Sequence, residues 1–276
     1  MQIKQYTEDA VSLLRKLIAT PSTSRDEKAA ADIMEQEMQR LKLDTHREAN
    51  NVWAVGKHYD SHKPTLLLNA HIDTVRPVAS WTRDPFKPEL DGDTLYGLGS
   101  NDCGGGLVSL LQTFRYLDEH GCAYYNIVYL ASAEEEVSGK DGISRAIPLL
   151  PHIDVAIVGE PTGMQPAVAE KGLMVLDLTA HGKSGHAARG EGVNALYKAL
   201  DDLVWIRDYR FKRISPHLGA TVMNATVINA GTQHNVVPDV CNIVVDVRTN
   251  ELYTNEEVYQ FINENTQCEC KARSFR

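Results

Sequence analysis

Lys/Arg-rich runs are missing from the sequence, as are low-complexity segments and evident internal repeats. With a formal charge of -9 and no basic run to offset it locally, the chain carries a field that repels phosphate backbones, which argues against a nucleic-acid partner. The N-terminal stretch MQIKQYTEDAVSLLRKLIATPS interrupts its apolar residues with charges at helical spacing. It therefore has neither the unbroken core of a signal peptide nor a membrane-spanning run, and the expectation is a cytoplasmic protein without membrane contact. Cysteine is scarce and odd in number: Cys103, Cys122, Cys241, Cys268 and Cys270 are too scattered to describe a disulfide framework. Cys268-x-Cys270 has the alternate spacing of one strand face, but no second pair exists to complete a zinc site, so these read as reduced packing thiols.

What is present is an ordinary globular composition: 276 residues, 43% hydrophobic and 24% charged, enough to bury a core in one large domain or two smaller ones. Val11, Leu14, Leu17 and Ile18 fall on one helical face, and Ala30, Ile33, Met34, Met38 and Leu41 repeat the pattern, so two amphipathic helices open the chain. Short apolar runs follow at 51–55, 65–70, 127–132 and 155–158, with a helix predicted over 107–117. The last three runs are continuous rather than alternating, which predicts strands buried on both faces. After Glu170 the texture changes: 173–180, 220–229 and 242–249 alternate apolar with polar residues, as strands with one exposed face do. Helices over 193–205 and 255–262 and a last strand over 269–275 complete a β-α-β-β-α-β order. The expected fold class is α/β: a mixed-sheet catalytic domain over 1–170 with helices on both faces, and a smaller α+β domain over 171–276.

Chemistry-bearing residues collect at strand ends. His71 and Asp73 close the 65–70 run two residues apart, so one can serve as a ligand while the other orients its imidazole. By itself such a pair is common on protein surfaces. The turn GLGSNDCGGG over 97–106 opens the next helix and invites a phosphate-cradle reading, which fails because the P-loop Lys-Ser/Thr pair is missing and Asp102 would repel a phosphate. Glu134-Glu135-Glu136 follows the 127–132 run, and Glu160 follows the 155–158 run. In open α/β sheets the carboxyl ends of the strands are where ligands bind. Carboxylates converging there repel one another unless cations sit between them, so either the site holds metal ions or the acids diverge.

Four ordered segments, NAHIDTVRPVASWTRDPF, GLGSNDCGGG, SAEEEVSGKDG and VGEPT, make the chain resemble the zinc aminoacylase family. That family includes acetylornithine deacetylase, succinyl-diaminopimelate desuccinylase and glutamate-releasing carboxypeptidases. The resemblance covers essentially the whole chain. It implies two zinc ions, with cobalt also suited, bridged by Asp102; His71 and Glu160 serve one ion and Glu136 the other. It makes Glu135 the general base, leaves Glu134 outside the ligand set, and implies a cis peptide between Asp102 and Cys103. In the second domain Gly182-Lys183-Ser184-Gly185-His186-Ala187 resembles a turn whose histidine reaches the active site of the other subunit of a homodimer, so His186 would steady an oxyanion in trans. Asn235 and Arg248 match substrate-binding positions, the arginine fork suiting a carboxylate.

The chain also departs from that pattern. Arg76 stands where relatives usually have proline, Leu98 where they have arginine, and Cys103-Gly104 where they have Met-Lys. Arg76 near the metals suits an anionic acyl group such as succinyl. No histidine follows His234, so the late histidine that completes the second ion's shell in the family is expected from a segment beyond Arg276. The function expected is hydrolysis of the amide of a small N-acyl amino acid, N-acetyl- or N-succinylornithine-like, in arginine synthesis. A dipeptidase or carboxypeptidase of the same chemistry is the alternative, and a noncatalytic dimerising protein with an incomplete metal site is the reading from a different class.

Overall fold

The computed structural model describes residues 3–275, which divide into two compact units between Gln165 and Pro166. In the first unit α1 (Ile3–Ile18) and α2 (Lys28–Arg40) precede β1 (Asp44–Glu48), β2 (Asn51–Val55) and β3 (Thr65–His71). A small hairpin of β4 (Glu89–Asp91) and β5 (Thr94–Tyr96) leads to α3 (Gly105–His120), β6 (Asn126–Ser132), the short α4 (Ile143–Ala146) and β7 (Val155–Val158). The main sheet has the order β1-β2-β6-β3-β7, with β3 parallel to both β6 and β7 and the β1–β2–β6 side antiparallel. It is the mixed α/β sheet the sequence predicts.

Successive strand residues point to opposite faces, and both faces are covered. On one side Leu13, Met34, Met38, Leu111 and Phe114 from the helices pack on Val52, Leu68, Ala70 and Tyr129. On the other, Trp53, Leu67, Val128 and Leu130 pack with Ala146 of α4. Continuous apolar runs in β3 and β6 therefore reflect burial on both faces, as expected. β7 corrects that expectation: all four of its residues are exposed, because it lies at the sheet edge with β3 as its only strand partner among the described residues. Three strands of this unit escaped the sequence reading: β1, whose DTHRE has no apolar pattern, and the hairpin partners β4 and β5.

The second unit is built on a four-stranded antiparallel sheet. Its elements are β8 (Gly172–His181), β9 (Gly185–His186), α5 (Ala195–Asp208), β10 (Ile214–Ser215), β11 (Gly219–Ala220), β12 (Val222–Ala230), β13 (Val236–Val237), β14 (Val240–Thr249), α6 (Asn255–Asn265) and β15 (Glu269–Phe275). The order β12-β14-β8-β15, with α5 and α6 on one face, is the β-α-β-β-α-β arrangement with two minor strand pairs added. Alternation is visible in β8 and β14, where Met174, Leu176, Leu178, Ile243, Val245 and Val247 are buried against Ala199, Ile206, Val258 and Ile262. Asn194 caps α5 by accepting from the amides of Leu196 and Tyr197, and Thr254 caps α6 by accepting from Glu257. All five cysteines are free thiols; Cys241, Cys268 and Cys270 are packed in this core.

One close approach in the first unit governs where its strand ends meet. A Cβ on Gly106, in the first turn of α3, would lie 1.9 Å from the carbonyl oxygen of Gly159, the residue after β7 and before Glu160. Only glycine lets helix and strand end touch backbone to backbone there. Gly106→Ala should therefore destabilise the protein by about 3 kcal/mol, the upper end for overpacking because the obstacle is backbone rather than a mobile side chain. Thermal unfolding checks this, and a melting temperature equal to that of the unsubstituted protein would show that α3 and β7 do not meet in this way.

Candidate metal centre

His71 ends β3 with only 2% of its surface exposed. Its Nδ1 lies 2.8 Å from the backbone oxygen of Asp73 and 3.5 Å from Asp73 Oδ1, which fixes the ring and turns Nε2 towards the carboxylates beyond. Asp73 is itself buried and accepts from three directions: Ser24 Oγ donates at 2.7 Å, and the amides of Glu135 and Glu136 donate at 3.0 and 3.2 Å. Burial would raise the Asp73 pKa, but His71, Ser24 and the Glu135 amide stabilise its charge and hold it below the usual carboxylate range. Burial alone would lower the His71 pKa; Asp73 and then Cys103 overcome this and push it up to about 12.

Around Nε2 the acids converge rather than diverge. Asp102 Oδ1 lies 3.2 Å away, and Glu135 Oε2 and Glu160 Oε1 each lie at 3.9 Å. The peptide between Asp102 and Cys103 is cis. Ligand atoms of His71, Asp102 and Glu136 lie within 4.8 Å of one another, and so do those of His71, Cys103 and Glu160. Both groups share His71, and Cys103, which the resemblance does not place among the ligands, adds a sulfur beside Glu160. Convergence has an electrostatic cost. Glu160 is raised, by burial first and then by Glu135, Asp102 and Glu136, while His71 opposes the rise; Glu136 is raised by burial and then chiefly by Asp102. Imidazole nitrogen, carboxylate oxygen and thiol sulfur within coordination reach are a donor set that fits a zinc-like divalent ion.

Some of these neighbours have no signature in the sequence. Cys103, read as a packing thiol, is 1% exposed and accepts from the His71 amide at 3.2 Å, so it sits against the histidine rather than in the apolar interior alone. Glu27, at the entrance to α2, is fully buried with neither carboxylate oxygen hydrogen-bonded. Burial above all, then Asp73 and Glu134, raises its pKa. Glu134 turns away from the cluster at a φ of 54°, is 8% exposed and accepts from the Asp141 amide at 3.3 Å. Only long-range packing brings Glu27 and Glu134 together.

Arg76 lines a cavity of about 620 Å³ that also includes Glu136 in its wall. In the second unit His186 and Asn235 are neighbours: His186 lies opposite Val236 in the β9–β13 pair, and the Ala187 amide donates to the Asn235 carbonyl at 3.0 Å. The His186 ring is steadied by the Ala188 amide, which donates to its Nδ1 at 3.2 Å. Arg248 is not brought to them. It lies near the opposite end of β14, and its guanidinium is engaged by Asp246 at 2.9 and 3.1 Å.

Known proteins resemble both units of the chain. The peptidase dimerisation domain matches residues 168–271, and peptidase family M28 matches residues 46–148. An acetylornithine deacetylase of Pectobacterium carotovorum is 31% identical over 259 residues, covering 86% of this chain and 67% of its own. One from Erwinia tasmaniensis is 30% identical, covering 95% and 73%, and a succinyl-diaminopimelate desuccinylase of Wolbachia pipientis is 27% identical, covering 93% and 68%. An M20 family metallo-carboxypeptidase from Sulfolobus solfataricus shares the fold with a TM-score of 0.75 over 100% of this chain and 79% of its own, at 18% identity. The chain thus spans about two thirds to three quarters of the length of these relatives. With identity of 30% and above sustained over that span, together with the dimerisation domain, the chain belongs to the M20 family of metal-dependent amidohydrolases, the family of the acetylornithine deacetylases.

Proposed function

We propose that this hydrolase removes an acyl group from a small N-acyl amino acid, N-acetyl- or N-succinylornithine-like, in arginine synthesis in the cytoplasm. The observation that carries the reading is the convergence of Asp102, Glu135 and Glu160 on the Nε2 of one buried histidine whose other nitrogen is fixed by Asp73. His71, Asp102, Glu136 and Glu160 would hold two zinc ions, or cobalt, with Cys103 in reach as a further donor. Bound there, such ions supply charge that polarises an amide carbonyl and bring the pKa of a water towards neutrality. Glu135 suits the proton transfers: its side chain is 54% exposed, within reach of a water whose proton it would take and return to the leaving nitrogen, while its amide is anchored to Asp73. His186 and Asn235 form one polar edge that would approach the substrate from the partner in a homodimer, His186 steadying the oxyanion. Arg248 would meet the amino acid's carboxylate only by exchanging it for Asp246.

The first test is metal-dependent release of ornithine from N-acetylornithine and N-succinylornithine beside a panel of dipeptides. Release from either acyl substrate supports the reading, and turnover of dipeptides alone would replace it with a peptidase. Glu135→Gln should cut the rate about 10²- to 10⁴-fold, the range for a lost general base, with metal content unchanged; a rate within threefold of the parent would remove Glu135 from the mechanism. Asp73→Asn, which takes a charge and acceptor capacity from beneath His71, should weaken zinc binding about 10- to 100-fold in a competitive chelator titration. Equal zinc affinity in the two proteins would mean that the His71 ring does not need this support. Mixing Glu135→Gln with His186→Ala subunits should restore part of the activity each lacks if the histidine acts in trans, whereas no recovery in demonstrated heterodimers would rule that out.

A further inference from the structure

The cavity of about 620 Å³ beside Glu136 is lined by two arginines, Arg25 and Arg76, and both come from segments tied to the metal centre. The 22–24 segment runs alongside the segment after His71: the Thr74 amide donates to the Ser22 carbonyl at 2.9 Å, the Ser24 amide donates to the Thr74 carbonyl at 3.3 Å, and Thr23 and Thr74 form a parallel bridge. Ser24 also donates to Asp73, so the backbone that delivers Arg25 is fastened to the carboxylate under His71. Arg25 then adopts a φ of 75°, a left-handed conformation that a long side chain rarely takes and that must be held by its surroundings.

Charge pairing separates these two arginines from most of the others in the unit. Arg40, Arg47, Arg83, Arg115 and Arg145 each face a carboxylate within ion-pair distance. Among the described residues no ion pair engages Arg25 or Arg76, although Asp26 and Glu136 line the same cavity. Arg25 and Arg76 are both exposed at the wall of one cavity and so can turn to an anion that enters it, and planar bidentate recognition of a carboxylate is what a guanidinium does best. The volume falls within the range of small-molecule sites.

We propose that this cavity is a carboxylate subsite in which Arg25 and Arg76 together hold a free carboxylate of the substrate while its amide lies over the neighbouring ligand cluster. The carboxylate is either the far end of a dicarboxylic acyl chain such as succinyl or the α-carboxylate of the amino acid. That it belongs to a substrate rests on the deacylase reading; that the cavity binds a carboxylate does not.

Two measurements on the metal-loaded protein test this. Calorimetric titration with succinate and acetate should show succinate bound more tightly, and Arg25→Ala and Arg76→Ala should each weaken succinate about 10- to 100-fold, as expected for lost charge-assisted hydrogen bonds, with metal content and melting temperature unchanged. Lysine at either position should recover only part of the loss, since it restores the charge without the fork. Succinate affinity unchanged in both alanine variants, or succinate bound no better than acetate by the parent, would overturn the proposal. In kinetics, a loss of kcat/KM confined to N-succinylornithine assigns the subsite to the acyl end. An equal loss with N-acetylornithine that disappears with its α-amide assigns it to the amino acid. If no N-acyl substrate is turned over while arginine-dependent succinate binding persists, the deacylase reading fails and the carboxylate subsite stands.

Discussion

The centre depends on the Asp73 carboxylate. It is a buried anion, and in an apolar interior such a group is stable only when its oxygens are satisfied. Here a hydroxyl from the α1–α2 connection, two amides from the loop after β6 and the imidazole at the end of β3 share that task. The same contacts that stabilise the charge therefore join three segments far apart in sequence. His71 receives its orientation, Glu135 and Glu136 receive their backbone positions, and the Arg25 turn is anchored through its neighbour Ser24. A one-atom change at residue 73 would disturb all of them, because a carboxamide cannot accept the same donors on both arms.

Sheet topology explains why these segments can meet. β3 is parallel to β6 and to β7, so His71, the Glu134–Glu136 loop and Glu160 leave the sheet at the same end, that of the strands' carboxyl termini. Asp102 arrives there from the start of α3, and the Gly106–Gly159 approach sets how near that helix comes to the end of β7. The apolar core on both faces fixes the strands, and the polar residues need only be the next ones along the chain. Fold and site are thus linked by strand length: adding or removing one residue in β3 would move His71 to the other side of the sheet.

How much of this the sequence discloses depends on the range of the interaction. Local patterns were sufficient for the opening helices, for β3 and β6, and for the alternating strands of the second unit. The 155–158 run is continuously apolar like the middle of β3 but lies at an edge, because an apolar run reports preference for burial and not the number of neighbours. β1 was illegible because a polar edge strand has no apolar period and is defined by its register with β2. Meeting of His71 with Asp102 and Glu160 was foreseen from strand ends and motif order. The place of Cys103 against the histidine was not, since it follows from the backbone path through the 97–106 turn, which no periodicity encodes. Arg25 gave no signal at all: its place in the cavity comes from pairing between residues 22–24 and Thr74, about fifty positions apart.

The distribution of charge within the first unit follows from the same physics. Acids brought near one histidine repel one another, which is why Glu136 and Glu160 are displaced upward after burial has been counted. Cation binding offsets that repulsion, so the cluster is arranged for an ion rather than for stability alone. A cluster of this sign also repels an anionic substrate. Arg25 and Arg76 line the same cavity as Glu136 and Asp26, and unlike most arginines of the unit they are in no ion pair among the described residues. The ion-centred chemistry needs an acidic cluster, and an anionic substrate beside it needs positive charge that the fold has left unpaired; the cavity wall joins the two, with Glu136 from the cluster beside Arg25 and Arg76.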